Sequence, residues 1–286
     1  MNRALIFAHF DKDGLVDPYV IHALTVYRQY FSLVVFVTVS DLSESEVDKL
    51  KFLADRVIQR ENYGYDFGSW RVGFEGVDHP ELFSEIIFAN DSCYGPLSDF
   101  ESFLRKSEDL NAAVWGATLS HQFVPHVQSY FMAFRREIIR SGFAKRFWAS
   151  VEHKENKQDI IWEYEIGLSQ QAVSEGYKID AVVNFDKENA RCFDSMIAEY
   201  NALISPNVLR AEDYVDTPSV NPTQFYWVQS FKMGSPFVKI ELLRDNPPSV
   251  PLKSVEILTR SNKRFDLWLI DQHLKRVAPS AKWFLR

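Results

Sequence analysis

Short, fully apolar runs alternate along the first two thirds of this chain with longer stretches in which apolar positions recur every three or four residues. Residues 4–8 and 33–39 are of the first kind and predict buried strands. Residues 17–31 between them have helical spacing, so the chain opens as a βαβ unit. Ser43 with Glu46 predicts a capping box ahead of a helix that uses Val47, Leu50 and Ala54, and Ser98 with Glu101 repeats the signature before Phe100, Phe103 and Leu104. Further strands are predicted at 56–59, 85–89, 112–117, 129–134 and 178–183, with helices at 136–151 and 159–175. This order predicts an α/β fold around a mixed, mainly parallel sheet.

Beyond residue 185 the pattern loosens, and 201–222 carries Pro, Ser and Asn in the manner of a connector or lid. An aromatic patch at 224–227 and an apolar run at 237–243 are expected to return to the sheet. Residues 260–277 read as an amphipathic helix whose Phe265, Leu267, Trp268, Leu269 and Leu274 suit core or oligomer contact better than a peripheral membrane face. The expected organisation is a catalytic core over 1–200 and a helical C-terminal extension over 201–286, packed on the core as a lid or acceptor-side region.

Composition narrows the classes. A net charge of −7 leaves no basic stripe for a phosphate backbone and argues against nucleic-acid binding. The two cysteines, Cys93 and Cys192, are too few and too far apart for a disulfide framework, so a reducing cytoplasm is the expected setting. The start MNRALIFAHF runs straight into a strand, and no run approaches a membrane span, so any membrane contact would be peripheral. The 23 Phe, 12 Tyr and 7 Trp serve mostly as core, with a surplus that could line a sugar site.

Candidate chemistry concentrates in RENYGYDFGSW at 60–70 and FANDSCYGPL at 88–97, where polar and glycine residues interrupt strand-like sequence. Asn90, Asp91 and Ser92 follow the apolar run Ile86-Ile87-Phe88-Ala89, at the strand end where open α/β sheets hold ligands. A carboxylate there can hold a hard divalent cation against a diphosphate, so Asp91 is the candidate metal ligand and catalytic carboxylate, oriented by Asn90 and Ser92. Arg60, Asn62, Asp66 and Ser69 offer cationic, amide, carboxylate and hydroxyl groups, and Gly64 and Gly68 permit a tight turn or close backbone approach. His9 and Asp11 fall at the end of the first strand, with Asp11 placed to contact base or ribose and His9 to orient it. Asp11 as a turn cap and Arg60 as a surface arginine are the competing readings. In HVQSYFMAF at 126–134, alternation places His126 and Gln128 on one face and makes them, with Tyr130, acceptor-binding candidates, while Phe131 and Phe134 pack in core.

These segments, in this order, resemble the rhamnan synthesis protein F family, glycosyltransferase-like proteins of bacterial surface-polysaccharide assembly. The likeness also takes in AHFDKDGLVDPYV, EIGLSQQAVSEGYKI, NPTQFYW and PFVKIELLRDNP. It implies a GT-A-like nucleotide-sugar-binding domain that transfers a sugar, typically rhamnose from dTDP-rhamnose, to a glycan or lipid-linked glycan acceptor. A transferase using another nucleotide sugar and a noncatalytic assembly subunit are the alternatives. The ED…L…GY pattern of family-2-like GT-A enzymes is approximated by Tyr164, Glu165, Leu168, Gly176 and Tyr177, which implies Glu165 as the general base of an inverting transfer; Glu163 and Asp159 are its neighbours in contention. NDS departs from the two-carboxylate DxD of many GT-A enzymes, which leaves dependence on Mg2+ or Mn2+ open.

Overall fold

The structure, a computed structural model, describes residues 2–184, 221–247 and 264–281. Cys192, most of the 201–222 connector and the first residues of the 260–277 helix lie outside them. Strands β1 (Arg3–His9), β2 (Leu33–Thr38), β3 (Arg56–Gln59), β4 (Glu85–Asn90), β6 (Val114–Ser120), β7 (His126–Val127), β8 (Phe131–Arg135) and β9 (Ile179–Asn184) form one sheet of order β3-β2-β1-β4-β8-β6-β7, with β9 on the other edge of β6. Pairings of β1 with β2 and β4, β2 with β3, and β6 with β9 are parallel; those of β4 with β8, and of β6 with β7 and β8, are antiparallel. The sheet is thus the mixed type the sequence predicts.

Strand periodicity divides the core into two layers. Leu5, Phe7, Val34, Phe36, Ile87 and Ala89 face one cluster, while Ile6, Ala8, Val35, Val37, Ile86 and Phe88 face the other. The first is completed from α1 (Pro18–Tyr27) and α4 (Phe100–Glu108), and by Trp227, Phe237, Leu242, Leu243, Ile270 and Leu274 of the later segments. The described C-terminal segments therefore share the core of the sheet. The second layer is covered by α3 (Tyr65–Glu75) and α6 (Phe143–Ser150), which contribute Trp70, Phe74, Phe147 and Trp148.

Several boundaries differ from expectation for local reasons. The helix predicted over 136–151 divides into α5 (Arg136–Arg140) and α6, because Gly142 adopts φ 81 at the α6 N-cap. Asp99, rather than Ser98, caps α4, accepting from the Glu101 N–H and the Ser102 hydroxyl. Ser43 does cap α2 (Glu44–Leu50), but the Glu46 carboxylate turns to the Val16 N–H at 2.7 Å instead of back to the cap. The 159–175 helix is interrupted. After α7 (Lys157–Ile160) it widens into a π-helical turn over Ile161–Ile166 before α8 (Gly167–Ser174).

The segment 126–134 is two strands, not one. β7 and β8 pair in succession with the same edge of β6, and between Gly116–Met132 and Leu119–Val127 three steps along β6 face five along the partner. The surplus forms a bulge at Gln128, Ser129 and Tyr130, which re-aims these groups away from simple alternation.

Candidate functional site

Parallel register sets Ala8 beside Asn90 and His9 beside Thr38, so the chain leaves β1 next to Asp91 and Ser92. A cleft of about 480 Å³ opens at this sheet edge, bordered by Phe10, Asp11, Lys12, Asp91, Ser92, Lys157, Lys239 and Arg244. The Asp91 carboxylate accepts the Phe10 N–H at 2.7 Å, while its backbone carbonyl accepts the Tyr19 hydroxyl at 3.0 Å. Burial, and then the neighbouring Asp66 carboxylate, push Asp91 well above the ordinary carboxylate range. Asp66 is also raised, by burial, although the Asn90 side-chain amide donates to it at 2.8 Å and Lys239 opposes the rise.

Asn90 organises the rest of this strand end. Its carbonyl oxygen accepts the Ser92 hydroxyl at 2.6 Å and the Ser92 N–H at 3.1 Å. Lys239 donates to that hydroxyl at 3.1 Å and lies over the Tyr130 ring at 4.9 Å. It is placed there by β10 (Val238–Lys239), which pairs antiparallel with β5 (Cys93–Tyr94). Asp66, Asn90, Asp91 and Ser92 are therefore brought together as the sequence reading expects, joined by a cation that it did not single out.

Other expected donor groups are engaged elsewhere. Arg60 directs all five of its N–H groups into its own loop, to the Glu61, Tyr63 and Tyr65 carbonyls and twice to the Ser69 hydroxyl. Its guanidinium braces the entry to α3, and burial lowers its pKa. Gly64 forms the N-cap at φ 68, and Gly68 admits that guanidinium: a Cβ there would lie 2.8 Å from the Arg60 Nη2 and 2.7 Å from the Tyr63 carbonyl oxygen. Asn62 is exposed and does not border the cleft. His9 is buried against Phe36, bonded to the Thr38 hydroxyl at 2.9 Å, and lowered to about 4 chiefly by burial, so it stays neutral inside the sheet.

Asp11 borders the cleft but serves as a turn cap and ion-pair partner. It accepts the N–H groups of Asp13 and Leu15 and pairs with Arg276 of helix Trp268–Val277. Burial opposes ionisation of Asp11, yet these donors hold it below its usual value. The same guanidinium reaches Asp13 at 2.7 Å and Asp17 at 2.5 Å. His273, one turn earlier, accepts the Tyr94 hydroxyl or donates to it at 2.6 Å. Arg276 escapes detection in the sequence because its partners lie far away along the chain, whereas Arg244 pairs with the adjacent Asp245 at 2.7 Å.

Glu165 sits in the π-helical turn, facing the bulge. Its Oε2 accepts both the N–H (2.9 Å) and the hydroxyl of Ser129, leaving Oε1 directed to His126 Nε2 at 3.9 Å. His126 Nδ1 lies 2.8 Å from the Val124 carbonyl, which holds the ring by a proton on Nδ1 and keeps Nε2 towards Glu165. Gln128 is buried and donates to Asn221, while its carbonyl oxygen finds no partner among the described residues. Tyr130 is buried with its hydroxyl on Thr118, and burial raises its pKa. The competing carboxylates differ: Glu163 is paired with Lys154 at 2.7 Å, and Asp159 is exposed.

Among the described residues, no three His, Cys, Asp or Glu side chains converge as a metal-binding group. Asp91 and Asp66 nevertheless form a carboxylate pair whose raised pKa values a hard cation would relieve, with its remaining oxygens supplied by a diphosphate and water.

The rhamnan synthesis protein F family matches residues 34–211. The chain belongs to this family. Virulence protein VirA of Vibrio anguillarum is 30% identical over 255 residues, 82% of this chain and 77% of that protein. An uncharacterized protein, y4gN, of Sinorhizobium fredii is 23% identical over 154 residues, 52% of this chain and 40% of its own. Among solved structures, TarS of S. aureus (residues 1–349) aligns with TM-score 0.40 and 13% identity over 96% of this chain and 87% of that one. A 4-diphosphocytidyl-2C-methyl-D-erythritol synthase from Anaerococcus prevotii aligns with TM-score 0.42 and 12% identity, covering 66% and 90%. Membership in the rhamnan synthesis protein F family supports a glycosyltransferase of polysaccharide synthesis. No helix among the described residues is long and apolar enough to cross a membrane.

Proposed function

We propose that the chain is a GT-A-like, inverting glycosyltransferase that carries a deoxyhexose, L-rhamnose from dTDP-rhamnose, onto a growing glycan. The observation that carries this reading is the cleft at the ends of β1 and β4, where Asp91 meets Lys12, Lys157, Lys239 and Arg244. A nucleoside diphosphate leaving group needs its developing charge neutralised, and cations in a partly closed cleft do so more strongly than in water. Phe10, 53% exposed at the cleft border, offers a flat face to the base. Asp91 and Asp66 would hold a divalent cation, which supplies further stabilisation of the diphosphate when bound.

Glu165 is the proposed base. Ser129 fixes one carboxylate oxygen through two hydrogen bonds, so the other is oriented to take the acceptor hydroxyl proton. Asp11 and Arg60, engaged by Arg276 and by the loop before α3, act in this scheme as braces of the donor site. Incubation with dTDP-rhamnose and a set of glycan acceptors, with products resolved by mass, tests the proposal. A product heavier by one deoxyhexose supports it; a hexose increment from a different donor would reassign the sugar, and saturable binding without turnover would favour an assembly subunit.

A further inference from the structure

Phe123 and Trp162 form an exposed aromatic pair that neither the donor cleft nor the proposed base accounts for. Their ring centroids are 4.8 Å apart at 46°, and they remain 63% and 48% exposed among the described residues. Each sits on unusual backbone: Phe123 at φ 68 in the turn between β6 and β7, and Trp162 in the π-helical turn. A left-handed bulky residue and a π-helical turn both carry a conformational cost, and such features cluster where a surface is shaped for a ligand. Solvent-exposed aromatics held this way gain little from the fold itself.

The pair is continuous with the candidate base. Trp162 precedes Glu165 by three residues in the same π-helical turn. The turn bearing Phe123 leads directly to His126, whose Nε2 faces Glu165 at 3.9 Å. Gln170 of α8 ties the same turn through the Pro125 carbonyl at 2.8 Å, so the loop is fixed relative to the helix. Gln122 beside Phe123 is a neutral amide, and the charge of Glu163 beside Trp162 is paired with Lys154 at 2.7 Å.

We propose that Phe123 and Trp162 are a stacking platform for a neutral pyranose of the acceptor glycan, holding the saccharide so that its attacking hydroxyl reaches Glu165. The inference rests on the transferase reading for its role but not for its test. Pyranose rings present an apolar C–H face, which an exposed aromatic pair matches, and an equatorial belt of hydroxyls that Gln122 beside Phe123 can hydrogen-bond.

Saturation-transfer NMR with a rhamnose-containing trisaccharide, with maltotriose as a hexose comparison, decides the matter without turnover. A dTDP-rhamnose titration is run on the same samples. Phe123→Ala and Trp162→Ala are each expected to weaken trisaccharide binding by about tenfold, the scale of one lost aromatic anchor, and to leave nucleotide-sugar binding unchanged. Trp162→Phe should retain most of the affinity, which separates stacking from general damage to the turn. If the wild type binds saccharide through these rings but no nucleotide sugar, the platform stands and the donor reading falls. No saccharide binding by the wild type, equal binding by the alanine variants, or a concentration-dependent dimer abolished by Trp162→Ala without saccharide binding would each overturn the platform. So would a loss of thermal stability in both variants with unchanged saccharide affinity, which would make the pair a packing surface.

Discussion

Arg276 reaches Asp17 at 2.5 Å across 259 residues of sequence, and the same guanidinium pairs with Asp11 at the end of the first strand. The last described helix therefore holds the β1–α1 loop, one wall of the cleft. Removing one member of such a partly buried network leaves uncompensated carboxylates, so Arg276→Ala should lower stability by about 3 kcal/mol, read as a shift of the urea midpoint. The two carboxylates contribute with opposite sign in pH. Asp11 is held below its usual value, so its stabilisation is present above the ordinary carboxylate pKa and is lost as pH falls through its lower folded value. Asp17 is raised by burial, so its ionisation costs stability as pH rises from the ordinary value through the folded one. Arg276→Ala should reduce the acid-side loss due to Asp11, leaving the part held by the Asp13 and Leu15 N–H groups, and deepen the cost at Asp17; an unchanged pH–stability curve would contradict the clamp.

Asp91→Asn should stabilise the ligand-free protein at neutral pH. Burial and Asp66 raise the folded pKa of Asp91, so its charged form costs stability above that value, and the cost is absent below the ordinary carboxylate pKa. An amide keeps the acceptor for the Phe10 N–H and removes the charge. A gain of about 1 kcal/mol is expected, together with weaker metal-assisted donor binding, the exchange of stability for function common at such sites. A thermal melt at neutral pH checks the first half; a destabilised variant would show that Asp91 is not strained by its neighbours.

Arg60 and Lys239 should separate bracing from ligand binding. Arg60→Lys forfeits a planar five-donor fork and should destabilise the fold by about 1–3 kcal/mol with little direct effect on donor affinity. Lys239→Ala should cost little stability but weaken nucleotide-sugar binding about tenfold or more, because an ammonium in a cleft is lost to the diphosphate. The reverse pattern would return Arg60 to the phosphate site.

Glu165→Gln should leave fold and donor affinity in place and reduce transfer about 10²–10⁴-fold, the usual contribution of a positioned base. The Ser129 N–H can still donate to the amide oxygen. Parallel assays of Glu163→Gln and Asp159→Asn should show near wild-type rates, since one is paired with Lys154 and the other is exposed.

How much of this was legible in the sequence follows from what kind of signal each residue leaves. Runs such as 4–8 and 33–39 are buried on both faces and so read as strands without ambiguity. Helix α3 was hidden, because Gly68 and Gly73 within it lower helix propensity; Gly68 is needed for the close passage of Arg60 instead. The grouping of Asp66 with Asn90, Asp91 and Ser92 was readable from polar residues at a strand end. Lys239 and Arg276 were not, because nothing local marks a cation whose partners are brought near only by the β5–β10 pairing or by the docking of the last helix. The bulge at Gln128–Tyr130 was missed because alternation assumes an uninterrupted register.

Calorimetric titration of the purified chain with dTDP-rhamnose, with and without Mg2+ or Mn2+, tests the central claim most directly, because it asks whether the cleft at the ends of β1 and β4 takes a nucleotide-diphosphate sugar at all. Saturable binding is expected, strengthened by the metal, weakened in Lys239→Ala, and stripped of its metal dependence in Asp91→Asn. Absence of saturable binding to dTDP-rhamnose, dTDP and other nucleotide sugars under both conditions, or binding that neither substitution alters, would contradict the account.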